Sequence, residues 1–399
     1  MRGIFITIGI LLMYCTTFSC RRFDVDKSLD YCNAQVNRTL MQLMKDSADY
    51  AMMPCDIAGD DSVWQCRKAS CDELCSGFWP GILWYDYEAT GDDRIKEAAE
   101  RFTRSLLPVA ETLADDRDLG FVVFCSFGNA YRLTHNPAYR EIIIAASDSL
   151  TALYGSDIDT MLPRLQDGDK PRLHNAVADN VMNLEILFWA ARNGGNPYLY
   201  DIAVDYAELI MASQLNSDDS VHNKGGSDFQ IALPLNGEAY NGFSANINSM
   251  EEYARTMYGF TMIYRETHIQ KYLDYSCQIA DLYLNRLPQD QIPYLDLAGS
   301  AKPSALRDVP AACVAASALL ELQGYCKDER KCRYREASLK MLDSLSSKMY
   351  RAGRSCPSFL VHSGIRQKGV KCKDRSFLYA DYYYIESLLR IKKLFKKQR

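Results

Sequence analysis

The feature that most constrains the fold of this 399-residue chain is a helical spacing of apolar residues along almost its whole length. Apolar side chains recur at intervals of three and four positions, whereas the alternating pattern of β-strands is scarce. Stops such as Asn136-Pro137 and Gly194-Gly195-Asn196-Pro197 separate successive helices by short links. The pattern predicts about twelve helices, near residues 27–51, 77–89, 93–114, 120–134, 137–154, 179–193, 197–214, 249–265, 269–286, 310–324, 331–349 and 377–396.

Short links between successive helices predict antiparallel helical hairpins. About twelve helices paired in this way fit an all-α (α/α)6 barrel, in which six inner helices are surrounded by six outer ones. An open α-solenoid is the alternative, but no repeat of fixed period supports it. Residues 20–399 contain no Pro/Ser-rich linker and no low-complexity tract, so we predict a single domain.

Residues 1–19 have the composition of a targeting segment. Arg2 provides the charged start, residues 4–14 the apolar core and residues 16–19 a small-residue exit. The apolar run is shorter than the roughly 20 residues that a membrane-spanning helix needs. Because Cys20 follows directly, we predict a bacterial lipoprotein acylated on Cys20 and held at the outer membrane or cell surface. Plain secretion to the periplasm is the alternative, and both predict export.

The charge and the cysteine content limit the partners and the compartment. A net charge of −5 argues against nucleic acid as a partner. Fourteen cysteines in an exported chain predict disulfides, whereas no histidine lies near Cys71 and Cys75 to complete a zinc site. We therefore predict no metal and no cofactor. The candidates for local disulfides are Cys55, Cys66, Cys71 and Cys75 in one loop, Cys326 with Cys332, and Cys356 with Cys372; Cys125 and Cys313 are predicted to be buried thiols.

Two aspartates stand at the start of segments that otherwise have the pattern of buried helices. Asp118 precedes Leu119-Gly120-Phe121, and Asp179 precedes Asn180-Val181-Met182-Asn183. Each aspartate could simply cap its helix. If both instead face one cavity, apolar walls and the like charge of the neighbour would raise the pKa of one carboxyl group. Such a group can donate a proton near neutral pH, so the two aspartates are candidates for acid–base catalysis.

A third segment, Ser76-Gly77-Phe78-Trp79-Pro80-Gly81, opens another predicted inner helix with aromatic residues between glycines. Phe78 and Trp79 could stack on a sugar ring, and both are equally what the start of any helix would bury in the core.

At these three segments the chain resembles the unsaturated glucuronyl hydrolases, glycoside hydrolase family 88. The segment from Ser76 is similar to the family's Ser-Gly-Phe-Phe-Pro-Gly, and the segment from Asp179 to its Asp-Asn-Met-Met-Asn-Leu-Glu. The resemblance covers nearly the whole mature chain, and such proteins are (α/α)6 barrels. Further similar blocks are Asp118-Leu119-Gly120-Phe121, Ile292-Pro293-Tyr294-Leu295-Asp296, Ala315-Ala316-Ser317-Ala318-Leu319-Leu320-Glu321-Leu322 and Tyr379-Ala380-Asp381-Tyr382-Tyr383.

The resemblance implies hydration of a double bond in place of displacement at an anomeric carbon. The family's oligosaccharide substrates carry a terminal uronate with a C4=C5 double bond, left there by a polysaccharide lyase. The resemblance implies that Asp179 protonates C4 and helps a water molecule to add at C5, with Asp118 as its partner. The hemiketal then opens and releases the neighbouring sugar.

The residues expected to hold the sugar depart from the family pattern. Arg117 stands where the family has His, and Glu251 falls on the segment that carries its uronate-binding Arg. Leu74 and Leu165 replace two expected tryptophans. A carboxylate facing an anionic sugar would repel it, so we expect Glu251 to turn away or to pair with an arginine. Arg117 and Arg255 are the candidates to restore the positive charge.

The remaining candidates for contacts with the sugar are His222, which the resemblance places near it, and Asn241, a remnant of the family's Gln-Gly. The sequence therefore predicts a hydrolase that removes an unsaturated uronic acid from oligosaccharides. The alternatives are a catalytically silent sugar-binding relative and an unsaturated rhamnogalacturonyl hydrolase.

Overall fold

A computed structural model describes residues 23–45, 49–58, 61–71, 73–112, 118–166, 178–214, 249–295, 306–363 and 375–397; it does not cover the side chains of residues 152–166, 178–180, 213 and 397. Helices dominate these residues, as predicted. The twelve longer helical segments of the described chain are α1 (Val25–Leu43), α2 (Cys75–Thr90), α3 (Asp93–Ser105), α4 (Leu119–Val123, continued by a π-turn at Phe124–Gly128 and by Asn129–Thr134), α5 (Pro137–Gln166), α6 (a 3₁₀ segment Ala178–Asn183, then Leu184–Arg192), α7 (Tyr198–Gln214), α8 (Met250–Thr267), α9 (Gln270–Leu284), α10 (Val309–Leu322), α11 (Asp328–Leu345) and α12 (Leu378–Lys397). A single turn, Leu107–Ala110, follows α3.

The even-numbered helices α2, α4, α6, α8, α10 and α12 form a closed inner ring in which each contacts the next and α12 contacts α2. The odd-numbered helices pack outside them: α1 on α2 and α12, α3 on α2, α5 on α4, α7 on α6, α9 on α8 and α11 on α10. Helix α10 shows why this order arises, because all its residues except Glu321 are buried. A helix that is apolar on every side must be enclosed by others. The predicted (α/α)6 barrel is thereby confirmed.

Local signals set the ends of these helices. The Asp24, Ser249 and Asp308 side chains accept hydrogen bonds from backbone N–H groups in the first turns of α1, α8 and α10. Helix α2 ends at Gly91, whose φ of 70° is left-handed and therefore suits glycine. Among the helices that the structure describes, none combines the length and the apolarity that crossing a bilayer requires.

A small antiparallel sheet, which the periodicity did not predict, covers one region of the barrel. Its strand order is β2 (Gln65–Lys68), β1 (Met52–Ala58) and β3 (Arg375–Phe377), with Asp56 paired to Phe377. The prediction of a helix over 27–51 was wrong at its end, because α1 stops at Leu43 and the chain turns into β1.

The cysteines agree only partly with the sequence-based pairs. Cys55 and Cys75 form a disulfide that joins β1 to the start of α2, and Cys125 and Cys313 are buried thiols as predicted. The predicted pairing of Cys326 with Cys332 was wrong, because both are free thiols and Cys326 Sγ lies 3.5 Å from Cys277 Sγ. Cys66 and Cys356 are also free thiols, and Cys372 lies outside the described residues.

Candidate active site

The candidate site is at the end of the barrel where the inner helices begin. Glycines let these helix starts approach closely, because a Cβ atom at Gly77 of α2 would lie 2.6 Å from the Val122 Cα of α4. A Cβ atom at Gly120 of α4 would lie 3.1 Å from Asn183 Oδ1 of α6. The segments that start with Asp118 and Asp179 are therefore packed side by side.

Asp118 occupies the N-cap position of α4 and is half-buried. Its carbonyl oxygen accepts the Val122 N–H at 3.0 Å, but its carboxylate makes no capping hydrogen bond to the described helix backbone. The alternative in which the Asp118 carboxylate only caps its helix therefore does not account for this residue. Asp179 is the second residue of the 3₁₀ segment Ala178–Asn183, and its side chain lies outside the described part of the chain. The catalytic pairing of the two carboxylates stays a prediction.

The side chains of Phe78 and Trp79 are both only 1% exposed. The Phe78 ring packs against those of Phe121, Tyr379 and Tyr382, with centroids 6.0, 5.4 and 4.9 Å away. Of the two sequence interpretations, the structure favours the core, because neither ring presents a face to a ligand. Phe78 supports the floor of the site, where α2, α4 and α12 meet.

Arg255 lies on the first turns of α8, inside a cluster that we call the Arg255 cluster: Glu251, Arg255, Asp308 and Tyr379. Its Nη2 lies 2.6 Å from Glu251 Oε1, and its Nε donates to the Tyr379 hydroxyl at 3.3 Å. The guanidinium also lies over the Tyr379 ring, 5.4 Å from its centroid. The expectation that Glu251 turns away or pairs with an arginine is confirmed, and the pair neutralises both charges.

Asp308, which the sequence analysis did not single out, completes this cluster from α10. It is 2% exposed, and its Oδ1 accepts the Ala311 N–H at 3.0 Å. Burial, and next the charge of Glu251, raise the pKa of Asp308 to about 8. An aspartate directly before Val309-Pro310 was the available signal, since proline is favoured in the first turn of a helix. Asp308 therefore holds a proton near neutral pH beside the pair of Arg255 and Glu251.

Several predicted site residues cannot be located. Arg117, His222, Asn241 and the lipidation site Cys20 lie outside the described residues. Their proposed contacts with the sugar or with lipid stay predictions.

A cavity of about 550 Å³ opens at the opposite end of the barrel, where the inner helices finish. Arg132, Trp189 and Lys393 line its walls, and it reaches inward to Gly120 and Asn183. Basic side chains in the last turns of helices offset the negative ends of the helix dipoles. This cavity therefore extends from the second end of the barrel to the Gly120–Asn183 contact, next to the segments that begin with Asp118 and Asp179.

An ion-pair network ties the helices together at this second end. Arg265 of α8 lies 2.5 Å from Glu185 of α6 and 2.9 Å from Glu321 of α10, and Arg390 of α12 lies 2.5 Å from Glu321. Burial opposes the ionisation of Glu321, but Arg390 and Arg265 lower its pKa to about 2. Glu185 belongs to the segment that begins with Asp179, so its ion pair with Arg265 fixes that segment to α8.

One group in the described residues has the spacing of metal ligands. The Cys55 and Cys75 sulfurs and a Glu73 carboxylate oxygen lie within 4.8 Å of one another. The two sulfurs are joined in a disulfide, so they do not offer the thiolates that zinc binds.

Several known proteins are similar to this chain in sequence and in architecture. An unsaturated glucuronyl hydrolase of Formosa agariphila is 31% identical over 339 residues, which are 83% of each protein. An unsaturated chondroitin disaccharide hydrolase of Streptococcus pyogenes serotype M1 is 28% identical over 329 residues, 80% of this chain and 82% of the relative. No protein-family model matches the chain.

Solved structures agree over most of the length. The structure of an unsaturated glucuronyl hydrolase specific for heparin superposes with a TM-score of 0.73 at 29% identity, covering 93% of this chain and 98% of the other. The enzyme from Bacillus sp. GL1 gives a TM-score of 0.74 at 24% identity, with 93% and 97% covered.

The ring of inner and outer helices defines an (α/α)6 barrel, and the similarity to these relatives shows that the chain is a glycoside hydrolase of that class. Within that class, the chain belongs to the unsaturated glucuronyl hydrolases, glycoside hydrolase family 88, as a divergent member.

Proposed function

We propose that this protein removes a terminal 4,5-unsaturated uronic acid from oligosaccharides that a lyase has released from glycosaminoglycans. The relatives named above are unsaturated glucuronyl and unsaturated chondroitin disaccharide hydrolases, and one structural neighbour is specific for heparin. The observation that carries the proposal is the packing of Gly120 against Asn183. This contact holds the segments of Asp118 and Asp179 next to each other at one end of the barrel.

In the proposed reaction, the Asp179 carboxyl group gives its proton to C4 of the double bond. The positive charge that develops at C5 is quenched by a water molecule, which the resulting Asp179 carboxylate deprotonates. Asp118 shares the site and keeps one proton on the pair, because two adjacent carboxylates resist simultaneous ionisation. The hemiketal at C5 then opens and expels the neighbouring sugar.

We further propose that Arg255 binds the carboxylate of the uronate. Its guanidinium is held between the Glu251 carboxylate and the Tyr379 ring, so its position is fixed before the substrate arrives. The Glu251 carboxylate pairs with the Arg255 guanidinium, and the raised pKa of Asp308 keeps that carboxyl group from adding a second negative charge to the cluster. The cluster therefore attracts an anion weakly compared with an unpaired arginine, which suits substrate release as much as binding.

The test is the loss of the ultraviolet absorbance of the conjugated uronate, measured across unsaturated disaccharides prepared from heparin and from chondroitin. We expect activity on at least one of these, and its loss in Asp179→Asn. The conservative variant keeps the size of the side chain but cannot supply the proton. A well-folded protein that binds these disaccharides and leaves their absorbance unchanged would instead be a silent sugar-binding relative.

We also propose that the protein is exported and anchored through lipidated Cys20. The composition of residues 1–19 supports export, and the Cys55–Cys75 disulfide suits an oxidising compartment. The test is metabolic labelling with a radioactive fatty acid in a bacterial host. Label that disappears in Cys20→Ala is the expected result, and an unlabelled protein in the soluble periplasmic fraction would establish plain secretion.

A further inference from the structure

Two thiols that the proposed reaction does not use lie side by side on the outer layer of the barrel. Cys277 is on α9 and is 3% exposed, whereas Cys326 is half-buried in the link between α10 and α11. Their sulfur atoms are 3.5 Å apart. A disulfide needs about 2 Å between the sulfurs, so a side-chain rotation and a small shift of the link would close the gap.

We propose that Cys277 and Cys326 form a dithiol pair that a low-molecular-weight disulfide, such as oxidised glutathione, converts into an intramolecular disulfide. The inference is independent of the proposed catalytic function, because it rests only on the position of these two side chains.

The two sulfurs have different surroundings, so we expect them to play different roles in the exchange reaction. The hydrogen bond between the two thiols, in which either sulfur can be the donor, and the nearby Arg330 lower the pKa of Cys326. The same hydrogen bond, and then burial, raise the pKa of Cys277. The half-buried Cys326 is therefore the sulfur that reaches a disulfide in solution as a thiolate.

The exchange is balanced in two steps. The Cys326 thiolate attacks one sulfur of oxidised glutathione, forms a mixed disulfide and releases one glutathione thiolate. The Cys277 thiol then gives up its proton, and its sulfur attacks Cys326 Sγ and releases the second glutathione. The protein loses two electrons and two protons, and one glutathione disulfide becomes two thiols.

The link that Cys326 belongs to is held by contacts at the second end of the barrel. The neighbouring Tyr325 packs edge-on against Tyr264 at 5.1 Å, and its hydroxyl donates to Glu321 at 3.3 Å. A bond across the 49-residue separation from Cys277 would fix this link to the outer helix. A cross-link over a loop of this length restricts the unfolded chain. It should therefore raise the melting temperature of the protein, by roughly 3–6 °C for a chain of this size.

The experiment is peptide mapping of the full chain without reductant, before and after native incubation with oxidised glutathione. We expect oxidation to add one cross-linked pair of fragments, containing Cys277 and Cys326, to the pair that Cys55 and Cys75 already join. The melting temperature should rise above that of the same protein before the incubation. Because Cys313 lies on the same tryptic fragment as Cys326, the matched control is Cys313→Ser. This variant should keep the cross-link and the rise in melting temperature.

The variant Cys326→Ser should lose both. Position 326 is half-buried and therefore tolerates a hydroxyl group better than the buried position 277 does. The mapping of the wild-type protein tests the proposal even if the variant does not fold. Free thiols at both positions after oxidation, or a bond between Cys326 and Cys332, would overturn the proposal.

Discussion

One methyl group added at Gly259 should push α8 away from the 3₁₀ segment Ala178–Asn183, which carries the proposed proton donor Asp179. A Cβ atom there would lie 2.5 and 2.7 Å from the two methyl groups of Val181, which is fully buried. Ordinary contact begins at 3.4 Å, so the 3₁₀ segment and α8 would have to move apart by about 1 Å. Val181 is two residues from Asp179, so the displacement would be transmitted directly to the proposed proton donor.

The expected free energy combines two opposing effects of Gly259→Ala. Alanine in place of glycine inside a helix favours folding by about 1 kcal/mol. Overpacking of a buried contact costs about 1–3 kcal/mol, so we expect a net destabilisation of about 0–2 kcal/mol. Misplacement of a catalytic group by about 1 Å can cost a hundredfold in rate, and kcat should fall by that order.

The variant Val181→Ala provides the decisive comparison. Alone it leaves a void and costs about 2 kcal/mol, but it also removes the two methyl groups that the new Cβ atom meets. In the double variant the added methyl group occupies part of that void. We therefore expect the double variant to be more stable than the sum of the single effects by about 2 kcal/mol, and to recover part of kcat.

The measurements are urea unfolding and steady-state turnover on the best disaccharide substrate. Gly128→Ala is the matched control, because the three atoms nearest to its Cβ atom all belong to the ring of the half-buried Phe124, at 3.1 Å or more. That ring can shift, so stability and kcat should change little. Strictly additive destabilisation in the double variant, or wild-type kcat in Gly259→Ala, would refute the role of this contact.

Three further outcomes are expected. Asp179→Asn should lower kcat at least about a thousandfold at an unchanged melting temperature, and activity retained in the purified variant would assign proton transfer to another residue. Arg255→Ala should raise KM more than it lowers kcat, whereas Glu251→Gln should lower KM for an anionic substrate by freeing Arg255; equal effects on kcat and KM would contradict a pure binding role. Burial raises the pKa of Asp86 to about 7, against the hydrogen bond from Asn33, so the folded state holds its proton and unfolding releases it. Stability should fall between about pH 4 and pH 8 by up to roughly 4 kcal/mol, and Asp86→Asn should flatten this fall; urea titrations with equal pH slopes in both proteins would contradict it.

Local periodicity predicted the helices of the barrel well because the spacing of apolar residues within one helix is a local signal. The sheet escaped prediction because β1 pairs with β3, and Asp56 is far from Phe377 in sequence. Strand pairs of this separation leave no local signal, and the seven residues of β1 are too few to show a clear alternation. For the same reason α1 was predicted to run beyond Leu43.

The sequence predicted those features of the site that lie within one helix. It did not predict the Arg255 cluster, which three different helices form. Asp118 stands out because it precedes a buried run of its own helix. The pairing of Glu251 with Arg255 follows from their spacing of four residues on α8. Asp308 and Tyr379 come from α10 and α12, and they reach Arg255 only because the ring of inner helices closes.

The contacts also explain how recognition of the sugar can change while the proton-transfer residues persist. The segments of Asp118 and Asp179 are set by glycine contacts with the core, at Gly120 and Gly259, where any side chain must displace a buried neighbour. Arg255 and Glu251 instead form a partly exposed ion pair, a kind of interaction that typically contributes less than about 1 kcal/mol to folding. Replacing a charge there costs the fold little and alters the substrate strongly. In the proposed mechanism, selection on substrate can therefore act on the Arg255 cluster almost independently of the barrel. This would account for the aspartate pair and the changed binding shell that the sequence resemblance implies.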